Sequence, residues 1–252
     1  MSYCMAHRGW SGRAPENTMA AIKLALAEPG IQAIEVDVQL SKDEIPVLIH
    51  DFTLERTTNG SGLVKDHTFE QLRQWSAGSW FAEEFSDETI PALEELFQAV
   101  SQHTCRLNVE LKTAGNLYPR LAEKVVELVE AYELYSQVCL TSFDHEILKK
   151  VKELQPSMKT GLIIAGKPVL LREQLEETGA TILSMAYPYL TKDFVHIMLE
   201  QNYEIFAWTI DDEHEIRRIS EWHPHLYICT NHPDRCFLGT LNEKSRSKKI
   251  EG

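Results

Sequence analysis

Apolar runs of strand length alternate with amphipathic stretches along most of this chain. Runs over Tyr3–Ala6, Ala33–Val38, Arg106–Leu111, Val138–Thr141, Thr160–Ile164, Thr181–Met185, Glu204–Thr209 and Leu226–Thr230 predict eight strands. Between them, apolar residues recur at helical spacing over Thr18–Ala27, Leu93–Val100, Pro119–Ala131, His145–Leu154, Arg172–Thr178, Lys192–Gln201 and Glu213–Trp222. Pro119 suits a first helical position, where a missing N–H costs nothing. Strands that alternate with helices pair in parallel, and eight such units in 252 residues predict an α/β fold closed as a (β/α)8 TIM barrel. An open doubly wound sheet is the alternative; the lack of a Gly-rich turn after the first strand favours the barrel.

One apolar run breaks the alternation. Only Leu40–Glu44 separates Ile45–Ile49 from the preceding strand, too short a link for a parallel crossover, so an antiparallel hairpin is expected. A turn near Asp43 and Glu44 would set Asp37 opposite His50 and fold His50 over the C-terminal mouth of the barrel. From about 51 to 91 the chain is polar and irregular, yet carries Trp75, Trp80, Phe81 and Phe85, which predicts a small insertion packed as a cap. No internal repeat is visible. A single domain over 1–242 is expected, with 243–252 as a charged, frayed tail.

Composition narrows the partners. A net charge of −13 argues against nucleic acid and against an anionic bilayer. No apolar run approaches the ~18 residues of a membrane span, and His7 leaves no room for a leader, so no stable membrane insertion is expected. The five cysteines (4, 105, 139, 229 and 236) show no paired or metal-type spacing, and Cys4, Cys105, Cys139 and Cys229, in or beside strand-like runs, read as small buried hydrophobes. Together these features predict a cytoplasmic protein.

The chemistry sits at strand ends. His7 closes the first run, Glu35 and Asp37 share one face of the second by period two, His50 closes the hairpin strand, and Glu110 lies in Leu107–Lys112. A lone carboxylate in a strand is more often on a solvated face, and a lone strand-end histidine is often merely hydrogen-bonded. Three carboxylates on apolar-flanked strands are costly without a cation, and they predict oxygen ligands for Mg²⁺ or Ca²⁺, with Mn²⁺ a further candidate. His7 and His50 beside them predict an acid–base pair. Arg8 and Lys112 offer positive charge to a phosphate, although Lys112 could equally balance Glu110. Trp208 either walls the pocket or packs as core.

These residues resemble the glycerophosphodiester phosphodiesterases. The resemblance runs through His7-Arg8-Gly9, Ala14-Pro-Glu-Asn-Thr18, Ile34–Asp43, Pro46–Asp51, Arg56-Thr-Thr58, Ile90–Glu94, Asn108–Lys112, Ser142-Phe143, Trp208-Thr209 and Thr230–Pro233. It implies a (β/α)8 barrel that hydrolyses glycerophosphodiesters, such as glycerophosphocholine or glycerophosphoethanolamine, to glycerol 3-phosphate and an alcohol. It also implies His7 and His50 as the catalytic pair, Glu35, Asp37 and Glu110 around a divalent cation, and Arg8 and Lys112 on the phosphate. The attacking group is either water or the glycerol 2-hydroxyl. One departure stands near the C-terminus, where Asn231 replaces an aspartate more usual in the family. A barrel acting on lysophospholipids or phosphoinositides and a non-catalytic phosphodiester-binding barrel are the rival readings.

Overall fold

A computed structural model of the protein describes residues 2–237. The expected frayed tail and the C-terminal limit of the domain lie outside these residues. The strands are β1 (Tyr3–His7), β2 (Ala33–Leu40), β3 (Pro46–Leu48), β4 (Arg106–Leu111), β5 (Val138–Ser142), β6 (Lys159–Ile164), β7 (Ile182–Ala186), β8 (Glu204–Trp208) and β9 (Tyr227–Thr230). The helices are α1 (Met19–Leu26), α2 (Phe69–Leu72), α3 (Leu93–Val100), α4 (Leu121–Ala131), α5 (His145–Leu154), α6 (Leu171–Thr178), α7 (Lys192–Glu200) and α8 (Glu213–Ser220). All strands but β3 pair in parallel, and β9 returns to β1, closing an eight-stranded (β/α)8 barrel.

Period two sorts each strand between two cores. Outward residues such as Ile34, Val36, Leu107, Leu140 and Leu183 pack under the helices, whereas Met5, Ala33, Cys139, Ile182, Phe206 and Cys229 fill the barrel interior. Gly161 is small because Ile182 takes its place: a Cβ there would lie 2.7 Å from Ile182 Cβ. At the N-terminal end the interior is charged. The Arg106 guanidinium is gripped by Glu204, which Lys159 also meets at 3.0 Å, and lies 5.5 Å from the centre of the Phe206 ring.

Helix ends follow side-chain chemistry. Thr18, Thr191 and Asp212 accept backbone N–H groups in the first turns of α1, α7 and α8, so the first helix starts one residue after Thr18. Pro119 is not a first helical residue. The helix begins at Leu121, because the Tyr118 hydroxyl donates to Gln39 at 2.8 Å and holds the approach as a turn.

β1 pairs with β2 only as far as Glu35, and β3 takes the edge of β2 that β1 leaves. The hairpin is antiparallel as expected, with Glu44 in the left-handed region at φ 61°. Its register differs by one residue: Val38 faces Leu48, and the Ile49 N–H donates to the Asp37 carbonyl at 3.0 Å, so Ile49 rather than His50 stands opposite Asp37. Beyond β3, Val47, Ile49, Leu54, Val64, Leu72, Ala77 and Ile90 form a separate small core with Phe69 and Trp75 against it. Trp80, Phe81 and Phe85 instead make an edge-to-face chain of rings outside that core. Among the described residues no helix is long and apolar enough to cross a membrane.

Candidate active site

Parallel strands present their C-terminal ends together, and there the inward positions turn from apolar to charged. Glu35 and Asp37 on β2 and Glu110 on β4 are buried, with one carboxylate oxygen from each within 4.8 Å of the others. The register explains the meeting, since Asp37 is the direct partner of Glu110 across the β2–β4 ladder. Asp37 is braced by Asn17, whose amide donates to it at 2.9 Å, and by Arg8 Nε at 3.1 Å. Glu35 accepts from the Arg8 backbone N–H at 2.9 Å. Glu35 Oε1 and Asp37 Oδ1 remain buried without a hydrogen-bond partner. Two orphaned oxygens in a buried group of three carboxylates, with no sulfur donor, fit a hard cation such as Mg²⁺, Ca²⁺ or Mn²⁺.

Electrostatics point the same way. Burial, and then the neighbouring Asp37 charge, pushes Glu110 up to about 7 and Glu35 well above its ordinary value. Burial would raise Asp37 as well, but Arg8, His50 and Lys112 more than offset it and hold that carboxyl low. Negative charge is thus undercompensated here by the chain's own cations.

The two histidines flank this group from β1 and from the end of the hairpin. Nδ1 of His7 lies 2.7 Å from Asn231 Oδ1, and its Nε2 is 3.8 Å from Glu35. Burial, then the Arg8 charge, lowers His7 to about 4. His50 bonds through Nδ1 to Asp51 at 2.6 Å, and its Nε2 lies 3.2 Å from Lys112 Nζ. Burial lowers His50 too, against the pull of Asp37 and Asp51. Lys112 also holds Glu110 at 2.9 Å. All the residues singled out from the sequence therefore converge. Arg8, His7, His50, Glu35, Glu110 and Trp208 line one cavity of about 140 Å³. Trp208 stands edge-on to Phe143, their centroids 5.7 Å apart, on the far wall.

Several members were not foreseen. Glu16 accepts from Arg8 at 2.7 Å and from both terminal nitrogens of Arg56 at 2.8 Å, while Arg56 also grips Asp51 at 2.7 Å. This chain of ion pairs ties the loop after β1 to the start of the cap and so to His50. Gly9 permits the first link. At φ 77° it follows Arg8, and a Cβ there would lie 2.7 Å from the α1 backbone at Ala21. Ser11, Asp211 and Asn231 stand behind His7.

Residues 7–235 match the glycerophosphoryl diester phosphodiesterase family. A glycerophosphodiester phosphodiesterase of Caldanaerobacter subterraneus is 37% identical over 215 residues, covering 85% of this chain and 88% of that one. One of Bacillus altitudinis is 35% identical, covering 87% and 90%. The structure of an Oleispira antarctica phosphodiesterase in complex with the product sn-glycerol-3-phosphate superposes with a TM-score of 0.87 at 32% identity, covering 94% and 95% of the two chains. With the barrel and the geometry of its mouth, these matches show that the chain belongs to the glycerophosphoryl diester phosphodiesterase family and is a phosphodiester hydrolase.

Proposed function

We propose that the protein is a cytoplasmic, metal-dependent hydrolase that converts small glycerophosphodiesters to sn-glycerol 3-phosphate and an alcohol by two-histidine acid–base catalysis. The observation that carries this reading is the trio Glu35, Asp37 and Glu110, with two orphaned oxygens, set between two histidines and two cationic side chains. The product held by the Oleispira antarctica relative supports glycerol 3-phosphate as the group retained. The five free cysteines suit a reducing compartment.

A divalent cation held by the three carboxylates would supply charge neutralisation at the phosphoryl oxygens. Arg8 lines the cavity and Lys112 lies beside it, against His50 and Glu110, so both would attract the phosphate; Arg8 is held by Glu16 and Asp37, and Lys112 by Glu110. His7 is neutral at pH 7, and with its Nδ1 engaged by Asn231 it presents Nε2 as the proton acceptor for the attacking hydroxyl. At His50 the Asp51 carboxylate favours the protonated ring while burial opposes it; in its protonated form His50 would donate to the leaving alkoxide.

The test is release of glycerol 3-phosphate from glycerophosphocholine by EDTA-treated protein, with and without added Mg²⁺, Mn²⁺ or Ca²⁺. Release restored by a cation is the expected result. Undiminished release after removal of metal would overturn the role of the three carboxylates.

A further inference from the structure

The contacts behind His7 have a direction. Asp211, in the loop between β8 and α8, accepts the Asn231 backbone N–H at 2.8 Å and the Thr230 hydroxyl at 3.1 Å through Oδ1. Its Oδ2 accepts from the Asn231 side chain at 2.7 Å. The Arg235 guanidinium donates to the Asp211 carbonyl oxygen and fixes the loop. A carboxylate only accepts, so the Asn231 atom facing it is the NH2 group, and Oδ1 must face the other way. That oxygen meets His7 Nδ1 at 2.7 Å and the Ser11 hydroxyl at 2.7 Å. An amide oxygen beside Nδ1 requires a proton on Nδ1.

We propose that Asp211 is a positioning residue that acts through the Asn231 amide to hold His7 in the Nδ1-protonated tautomer, leaving the Nε2 lone pair free to accept a proton from the attacking hydroxyl. The consequence for turnover rests on the reading of His7 as the base. Polarity makes the proposal sharp. In Asp211→Asn, the single remaining oxygen is claimed by the backbone N–H of Asn231, which cannot turn around. The new NH2 group then faces the Asn231 side chain, so that amide must flip and present its own NH2 to His7 Nδ1. His7 would be driven to the Nε2-protonated tautomer, useless as an acceptor toward the cavity. Moving the carboxylate one residue forward repairs this. In Asp211→Asn/Asn231→Asp, position 231 accepts from His7, from Ser11 and from residue 211 alike.

The experiment reads the His7 tautomer by long-range ¹H–¹⁵N NMR of the ¹⁵N-histidine-labelled full chain at neutral pH, assigned with His7→Gln. It also measures kcat and KM for glycerophosphocholine. Wild type should show the Nδ1–H form. Asp211→Asn should show the Nε2–H form and lose kcat by ~10²-fold with KM changed less than about threefold. The double variant should regain the wild-type tautomer and recover kcat to within about tenfold. A wild-type His7 protonated at Nε2 overturns the proposal without recourse to any variant that fails to fold. A folded double variant no better than Asp211→Asn overturns it as well, since a merely structural aspartate predicts two additive losses. A tautomer that follows Asp211 while kcat does not would uphold the positioning link and remove His7 from the role of base.

Discussion

His7 and His50 occupy matching places and differ in their partners. Asn231 is a neutral acceptor for His7, whereas His50 meets a carboxylate at Asp51 that is itself gripped by Arg56. Each group placed in line with a proton transfer typically contributes ~10²–10⁴-fold. His7→Ala and His50→Ala should therefore each lower kcat in that range, measured on purified folded protein as glycerol 3-phosphate release. Near-normal turnover in either variant would remove that residue from the pair. At this scale the residues legible in the sequence were those whose type conflicts with their strand. Glu35, Asp37 and Glu110 are acids flanked by Val, Ile and Leu, and a strand that buries them advertises a reason. Glu16, Arg56, Asp211 and Asn231 carry no such conflict, because all four lie in polar loops. For Asn231 the partner His7 stands 224 residues away, and closure of the barrel brings the two together.

The β2–β3 hairpin and the cap that follows it form the element on which His50 depends. The short Leu40–Glu44 link foretold the hairpin but not its register, because placing the turn near Asp43 and Glu44 leaves the opposing pair free by one residue. The bonded register is settled by the Ile49 N–H to Asp37 carbonyl contact, which local spacing cannot reveal. The aromatic content foretold a packed cap but not which residues form its core. Its buried centre is mainly aliphatic, whereas Trp80 is 41% exposed. Leu54 is fully buried in that centre and lies between Asp51 and Arg56 in sequence. Leu54→Ala should cost ~2–4 kcal/mol, as a large-to-small change in a packed core does. Since the cap has its own small core, the loss should appear as faster hydrogen exchange over residues 51–91 while the barrel strands keep their protection. Equal loss of protection in β5–β8 would show that cap and barrel open as one unit.

Across the whole molecule the barrel separates charge at its two ends. At the C-terminal mouth, acids are undercompensated by the chain's own cations; at the N-terminal end, Glu204 has both Arg106 and Lys159. The first arrangement suits the cation proposed above, and the second braces closure, since Glu204 on β8 reaches across the interior to Arg106 on β4 and Lys159 on β6. Burial raises the Glu204 pKa, but Arg106 and Lys159 more than offset it, so its folded-state value lies below the ordinary 4.5. A carboxyl whose pKa is depressed by folding stabilises the folded state fully at pH above its unfolded value. That contribution fades as pH falls through the folded value. Glu204→Gln should thus lower the unfolding free energy by ~2 kcal/mol near neutral pH, between the worth of exposed and buried pairs. In urea melts at a series of pH values, the gap between wild type and variant should stay constant above pH 4.5 and close below it. A gap that persists unchanged into acid would mean that Glu204 holds the barrel end by packing and neutral hydrogen bonds, because charge pairing is the only part of its role that protonation removes.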